Sequence, residues 1–208
     1  MVQPVRCFAS EQGTGWPEAG RSGCDGVGMV SSGRRVVVLV SGPPGSGKST
    51  LAEPLADALG FPLVAKDYVK EAIWDAIGPP VGDFTWSRRT GAVAMEVLWA
   101  VAARCDRVVL EANFRPRSHY ERGKLAGLDA CVVEVYCTCA PEIAARRYAA
   151  RASSAGYHAA HVGRTVTPEA LAEFDRPVAL GPVIKGRHNR SSRHPHPGQR
   201  CICPHPRT

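Results

Sequence analysis

Long apolar runs are missing from this sequence of 208 residues. No stretch approaches the roughly 20 apolar residues that a helix needs to span a bilayer. The first thirty residues also lack the continuous apolar segment of a secretory signal peptide. We therefore expect a cytoplasmic protein without membrane segments, in which the eight cysteines are reduced thiols rather than disulfides.

Acidic residues are absent from the C-terminal stretch 176–208, which holds seven of the 26 lysines and arginines. The other 19 basic residues are matched by the 19 acidic residues of the preceding part of the chain. The formal charge of +7 is therefore located in this C-terminal stretch, and the rest of the chain has no basic stripe. A nucleic acid is for this reason not an expected partner.

The chain divides into three regions by composition. Residues 1–33 are rich in Gly and Ser without any periodicity, which predicts a disordered lead-in. Residues 186–208 are basic and almost free of apolar residues, which predicts a disordered tail. The stretch between them, residues 34–185, has the length and apolar content for one α/β domain.

Apolar runs alternate with segments of helical periodicity through the predicted domain. This alternation predicts a mostly parallel sheet that is covered by helices on both faces. The predicted strands are 35–40, 61–65, 107–110 and 131–137. The predicted helices are 48–59, 67–77, 90–104, 141–151 and 168–174.

A glycine-rich motif, G-x-x-x-x-G-K-[ST], lies between the first predicted strand and the first predicted helix. In this context the pattern predicts a phosphate-binding loop, whose backbone N–H groups surround a phosphate at a helix N-terminus. Lys48 is predicted to reach the phosphate oxygens, and the Ser49 hydroxyl to bind Mg²⁺. The predicted ATP-binding residues are Gly42, Pro43, Pro44, Gly45, Ser46, Gly47, Lys48, Ser49 and Thr50.

Two carboxylates directly follow buried strands. Asp67 comes after the second predicted strand, and Glu111 comes after the third. Ligands of open parallel sheets bind at the carboxyl ends of the strands, so both residues are candidate site residues. Asp67 could equally be a helix N-cap, and the two interpretations are compatible. Glu111 needs a partner at the end of a buried strand, and Mg²⁺ or its water ligands would supply one.

The phosphate-binding loop, the Lys66-Asp67 pair, the run from Val109 to Phe114 and a lid rich in arginine together resemble a known family. It is the AAA-labelled P-loop kinase-like ATP-binding proteins, relatives of zeta toxin, chloramphenicol phosphotransferase and gluconate kinase. The resemblance covers about residues 35 to 175. It implies the P-loop NTPase fold, a three-layer α/β/α sandwich with a mostly parallel sheet and a helical lid.

The resemblance also implies roles for individual residues. Asp67 would take the proton from the acceptor hydroxyl, and Arg147 and Arg151 in the lid would neutralise charge on the transferred group. A solvated helix face is the alternative for this arginine pair. The acceptor pocket would be lined by Asn113, Phe114 and Arg115, together with Asp67. Tyr157 stands where the family usually has the first arginine of its lid segment.

The C-terminal end of the domain departs from the family pattern. Relatives continue from a segment like Leu180 to Ile184 into a final strand, whereas this sequence turns into the basic tail. We therefore expect either that the last strand is truncated or that the reading frame has diverged.

The function that these features favour is a magnesium-dependent kinase, which moves the γ-phosphate of ATP to a hydroxyl of a small molecule. A nucleotide-binding module without catalysis and an ATPase coupled to a partner are the alternatives. The sequence leaves the acceptor and the oligomeric state open.

Overall fold

The computed structural model describes residues 34–78, 80, 82–162 and 166–187. The predicted disordered lead-in and all but the first two residues of the predicted tail lie outside this range. No helix within the described residues is long and apolar enough to cross a membrane.

Five parallel strands form one sheet with the order β2-β3-β1-β4-β5. Their bounds are Arg35–Ser41 for β1, Leu63–Ala65 for β2, Arg107–Glu111 for β3, Ala130–Thr138 for β4 and Val183–Arg187 for β5. The sheet confirms the predicted α/β fold, and all of its described strand pairs are parallel.

Helices connect the strands, as crossovers between parallel strands require. They are α1 Lys48–Leu59, α2 Lys66–Ile77, α3 Phe84–Ala102, α4 His119–Ala126, α5 Pro141–Ala152 and α6 Pro168–Ala172. Helix α4 was not predicted, because its sequence HYERGKLA is mostly polar and buries only Glu121 and Leu125.

The two faces of β1 belong to two different cores, which is the basis of the three layers. Val37 and Leu39 pack in a cluster with Leu98 and Trp99 of α3. Val38 and Val40 point to the opposite face and pack in a second cluster, which includes two alanines of α1. Alternate residues of a strand point to opposite faces, so a continuous apolar run fits a sheet buried on both sides.

Helix α3 begins six residues before its predicted start at Thr90. Asp83 is its N-cap, and its carboxylate accepts hydrogen bonds from the backbone N–H groups of Thr85 at 2.8 Å and Trp86 at 3.1 Å. The missed signal is this acidic cap, since the first turn of the helix has little apolar periodicity. The long loop expected before Thr90 is therefore mostly helix.

The structure describes a last strand at the point where the sequence departs from the family pattern. Strand β5 is a five-residue edge strand that pairs with β4 from Val183 opposite Glu134 to Arg187 opposite Thr138. It extends two residues beyond the boundary that the sequence predicted for the domain. The basic composition concealed the strand, because an edge strand needs few apolar residues.

Glu134 of β4 is a fully buried carboxylate, and it joins the end of β1 to the segment before β5. It accepts hydrogen bonds from the Ser41 hydroxyl and from the backbone N–H groups of Val178 at 3.0 Å and Ala179 at 2.8 Å. Ala179 has a positive φ of 54°, a conformation that these bonds help to hold. Glu134 thereby fixes the residue that directly precedes the phosphate-binding loop.

Replacing Glu134 with alanine is expected to lower the free energy of unfolding by about 3 kcal/mol or more. The change leaves one hydroxyl and two backbone N–H groups buried without a partner, and each costs about 1–3 kcal/mol. Urea denaturation measures the loss. Asp57→Ala, at an exposed site of α1, is the control and should change stability by no more than about 0.5 kcal/mol. Equal stability of the two variants would contradict the role of Glu134.

Candidate active site

The phosphate-binding loop between β1 and α1 has the backbone that its glycines predict. Gly42, Gly45 and Gly47 have φ values of 131°, 78° and 94°, which favour glycine. A Cβ atom on Gly42 would lie 2.1 Å from the carbonyl oxygen of Cys137, and one on Gly45 would lie 2.3 Å from that of Ala144. The loop is therefore packed against the end of β4 and against α5 without room for side chains.

Lys48, the first residue of α1, is held inside this loop. It is buried, and its Nζ donates a hydrogen bond to the carbonyl oxygen of Pro43 at 2.8 Å. The buried Ser46 Oγ finds no hydrogen-bond partner among the described residues. The loop thus presents a buried cation and an unpaired hydroxyl, as a site for an anionic group would.

Sheet register brings the ends of three strands together. Glu111 at the end of β3 lies opposite Val40 of β1 on one side and Ala65 of β2 on the other. Ser49 Oγ lies 3.5 Å from Glu111 Oε2. This oxygen pair could hold Mg²⁺, which often takes only one or two protein ligands. Within the described part of the chain no group of three His, Cys, Asp or Glu residues is arranged to bind a metal.

Lys48 and Glu111 are coupled buried charges. Burial raises the pKa of the Glu111 carboxyl, and the positive charge of Lys48 opposes that shift. Burial lowers the pKa of Lys48. The negative charge of Glu111 and, to a smaller extent, that of Asp67 oppose this shift. Arg151 also acts electrostatically on both groups. The structure therefore gathers Lys48, Glu111, Asp67 and Arg151, four of the predicted site residues, at one edge of the sheet.

Asp67 is the second residue of α2 and not its N-cap. The cap position is Ala65, whose backbone is extended and whose side chain has no polar atom to offer. The Asp67 side chain is half-buried, and no hydrogen bond or ion pair joins it to another described residue. The N-cap interpretation is therefore wrong, and the carboxylate remains free to meet a ligand.

Phe114, which was predicted to line the acceptor pocket, packs in the core. Its side chain is 2% exposed and packs in the core against Trp99, with ring centroids 5.7 Å apart. The Phe114 side chain thus belongs to the core, and its place in an acceptor pocket stays a prediction. The sequence could not reveal that this side chain points into the core. Side chains within a strand point alternately to the two faces of the sheet, but Phe114 lies after the end of the strand, where this rule no longer applies.

Arg115 and Asn113 lie on either side of Phe114 and differ in their contacts. The backbone N–H of Arg115 donates to Glu121 Oε2 at 2.7 Å, and its Nε pairs with Glu173 Oε1 at 2.6 Å. Arg115 thus ties the loop to α4 and to the residue after α6. Asn113 is half-buried, and its Oδ1 has no hydrogen-bond partner among the described residues. Asn113 keeps a polar atom for a ligand, whereas the polar groups of Arg115 are engaged.

The two predicted lid arginines lie on α5. The Arg151 guanidinium is 5.7 Å from the centroid of the Tyr148 ring. Burial raises the pKa of the Cys139 thiol, and the positive charge of Arg147 opposes this rise. Arg147 therefore lies close enough to Cys139 to interact electrostatically with it. Cys139 lies just after β4 and next to the phosphate-binding loop, with its Sγ 4.0 Å from the carbonyl oxygen of Gly45. Both arginines are therefore near the loop, and their role in a lid stays a prediction.

Lys70 of α2 was not among the site residues that the sequence predicted. It is 8% exposed, and its Nζ donates a hydrogen bond to Ser87 Oγ at 2.9 Å. Burial and the neighbouring Lys66 lower the pKa of Lys70 to about 8. Its position one turn after Asp67 was the available signal, because residues at such spacing share a helix face.

Known proteins resemble this chain in sequence and in structure. A cytidylate kinase from Ignicoccus hospitalis is 34% identical over 117 residues, which are 55% of this chain and 64% of the relative. The chain thus matches less than two thirds of that protein's length. A candidate kinase from Chloroflexus aurantiacus J-10-fl superposes with a TM-score of 0.64 at 26% identity, over 74% of this chain and 88% of the other.

A sugar kinase from Janibacter sp. HTCC2649 is more distant, with a TM-score of 0.48 and 18% identity over 74% of this chain and 85% of the other. At this distance the likeness has no bearing on activity. The family model of the AAA domain matches residues 37–177, from β1 to the segment before β5. This match includes the phosphate-binding loop and all the candidate site residues, and the chain therefore belongs to the AAA domain family of P-loop proteins.

Proposed function

We propose that the protein is a cytoplasmic ATP-dependent kinase that phosphorylates a hydroxyl group of a small molecule. The observation that carries this proposal is the unpaired carboxylate of Asp67, which lies in the electrostatic field of Lys48 within the same site. A nucleotide-binding module would need the loop and Lys48 but has no use for a free carboxylate beside them. A general base for an acceptor hydroxyl needs such a group.

The nucleotide side of the site is formed by the loop and α1. Backbone N–H groups of the loop and Lys48 Nζ would bind the phosphates of ATP, and Ser49 with Glu111 would hold Mg²⁺. The bound ion would supply positive charge that offsets the phosphate oxygens. Ser46 Oγ, buried without a partner in the described chain, would gain one in a phosphate oxygen.

The acceptor side is formed by Asp67, Asn113 and the lid arginines. The acceptor oxygen forms a bond to the γ-phosphorus while the bond to the β-phosphate oxygen breaks, and ADP leaves. The hydroxyl proton passes to a carboxylate oxygen of Asp67. Arg151 and Arg147 stabilise the charge on the transferred group. Glu111 is the poorer base, because it is buried beside Ser49 and Lys48.

A second candidate is a kinase that phosphorylates a nucleoside monophosphate. The likeness to a cytidylate kinase favours it, since cytidylate offers a phosphate oxygen as well as hydroxyls. A phosphate monoester has lost most of its protons at neutral pH, its second pKa being about 6. Transfer to it would not depend on a base, so the dependence of the rate on Asp67 separates the two candidates.

The test is a panel of acceptors incubated with ATP and Mg²⁺: sugars, nucleosides, nucleoside monophosphates and hydroxylated antibiotics. ADP formation and the mass of each product are measured. We expect ADP release to rise above background with one class of acceptor only, and Lys48→Ala to abolish that rise. Equal ADP release without acceptor would indicate an ATPase. Binding of ATP without any turnover would indicate a non-catalytic module.

A further inference from the structure

Three carboxylates form a stripe along α2. Asp67, Glu71 and Asp75 follow one another at intervals of four residues, so they lie on one side of the helix. Glu71 Oε1 is 2.7 Å from His161 Nε2, and Asp75 Oδ1 is 3.1 Å from His158 Nε2. Two of the three carboxylates therefore bind histidines of residues 153–162, the segment after α5, which we name the lid segment. The third, Asp67, is left to the active site.

The backbone of the lid segment is attached to the same part of the fold. Ala160 is fully buried, and its carbonyl oxygen accepts a hydrogen bond from Ser87 Oγ at 2.7 Å. The same Ser87 oxygen accepts from Lys70 Nζ at 2.9 Å. A chain of hydrogen bonds thus connects α2, α3 and the lid segment. A fully buried alanine shows that the lid segment is packed down along this side of the fold.

Hydrogen bonds within the lid segment fix the orientation of His158. The backbone N–H of Ala160 donates to His158 Nδ1 at 3.1 Å, so this nitrogen is the acceptor and Nε2 bears the proton. A neutral His158 can therefore donate to Asp75. The N–H of Tyr157 donates to the Ser154 carbonyl and that of His161 to the His158 carbonyl, both at 3.0 Å. These bonds shape the segment into a compact turn.

Tyr157 is placed by this turn beside the candidate active site. Its ring lies against that of His161, with centroids 5.5 Å apart, and burial together with Tyr148 of α5 raises the pKa of its hydroxyl. Tyr157 interacts electrostatically with Arg151 and with Asp67. The lid segment therefore connects the proposed base on α2 with the arginine on α5.

We propose that three contacts form a clasp, which positions the lid segment beside Asp67. Through Tyr157 the clasp also positions Arg151. The three contacts are Glu71 with His161, Asp75 with His158, and Lys70 with Ser87 and Ala160. The clasp residues are positioning residues and touch neither ATP nor acceptor. The pair of Glu71 and His161 dominates, because their side chains are 32% and 15% exposed. Those of Asp75 and His158 are 68% and 27% exposed, and exposed pairs contribute little.

Hydrogen exchange of the full chain tests the clasp without any substrate. In Glu71→Ala we expect the amides of residues 157–161 to exchange about tenfold faster, as loss of a hydrogen bond to a charged group implies. Asp75→Ala should give a smaller increase. Glu96→Ala is the matched control, an exposed carboxylate on α3 bound to Lys124, and should leave these amides unchanged.

A variant in the lid segment itself separates the clasp from damage to α2. His161→Ala should give the same increase as Glu71→Ala, and the double variant should add almost nothing, because both changes remove one interaction. Glu71→Gln should restore most of the protection, since its amide oxygen can still accept from His161 Nε2. Unchanged exchange in both single variants, or fully additive effects, would overturn the clasp.

The catalytic part of the inference rests on the proposed kinase activity. With an acceptor identified, Glu71→Ala should lower kcat about tenfold and leave the affinity for ATP within about twofold, because Arg151 is misplaced while the loop is intact. Glu71→Gln should recover the rate. If kcat is unchanged although the lid exchange is fast, the clasp does not position catalytic groups. If no acceptor is phosphorylated although ATP binds, the proposed function fails and the exchange result still decides the clasp.

Discussion

Replacing Lys48 with alanine is expected to weaken the binding of ATP with Mg²⁺ by about a hundredfold or more. Its Nζ is the buried cation of the loop, and removing one partner of a desolvated charge pair costs several kcal/mol. Isothermal titration calorimetry measures the affinity directly. Lys124→Ala, which removes a cation from the surface of α4, should bind ATP like the wild type. Unchanged affinity in Lys48→Ala would mean that the loop does not bind the phosphates.

The same change also leaves Glu111 buried without its cation, so loss of binding must be separated from loss of folding. Breaking a buried pair by removing one partner costs about 3–5 kcal/mol. Lys48→Met combined with Glu111→Gln removes both charges and should recover much of the stability. This double variant should melt cooperatively and still fail to bind ATP. Recovery of binding together with stability would show that Lys48 acts on the fold and not on the nucleotide.

Replacing Asp67 with asparagine is expected to lower kcat by about 10² to 10⁴, the range of a general base. The affinity for ATP should stay within a few-fold, because the loop and Lys48 are untouched. Stability should fall by at most about 1 kcal/mol, the typical worth of a carboxylate in the first turn of a helix. Asparagine is nearly isosteric with aspartate, so a change in rate reports the lost proton acceptor.

Three measurements on this one variant give the answer: a turnover rate with the identified acceptor, a Kd for ATP, and a melting temperature. Asp57→Asn, at an exposed site of α1, is the matched control and should behave like the wild type in all three. Full activity of Asp67→Asn would remove Asp67 as the base. Full activity with a nucleoside monophosphate would support the second candidate function.

The fold was predicted best from the sequence where a structural element depends only on residues close together in the chain. Strand β1, the loop and α1 follow one another directly, and the bounds of α1 agree with the prediction at both ends. An apolar run, a turn that only glycine allows and a helix ending at Gly60 are each readable within a few residues. The meeting of Asp67 and Glu111 could also be expected, because parallel strands end at the same edge of a sheet.

Long-range packing explains what the sequence could not show. Phe114 lies three residues after β3 and resembles a pocket residue in sequence, but it packs in the core against Trp99. The contact of His161 with Glu71 joins residues 90 positions apart, and no local pattern encodes such a distance. Helix α4 has almost no apolar periodicity, so only its packing in the folded chain defines it.

The packing of the phosphate-binding loop bears on how genetic data for this protein should be interpreted. A side chain at Gly42 or Gly45 would overlap a backbone carbonyl of β4 or α5, whether or not a nucleotide is present. Carbonyls within a sheet and a helix cannot move away cheaply. Intolerance of these two positions in a mutational scan is therefore explained by the fold alone. Evidence for nucleotide use has to come from polar side chains of the loop such as Ser46, whose buried Oγ has no hydrogen-bond partner among the described residues.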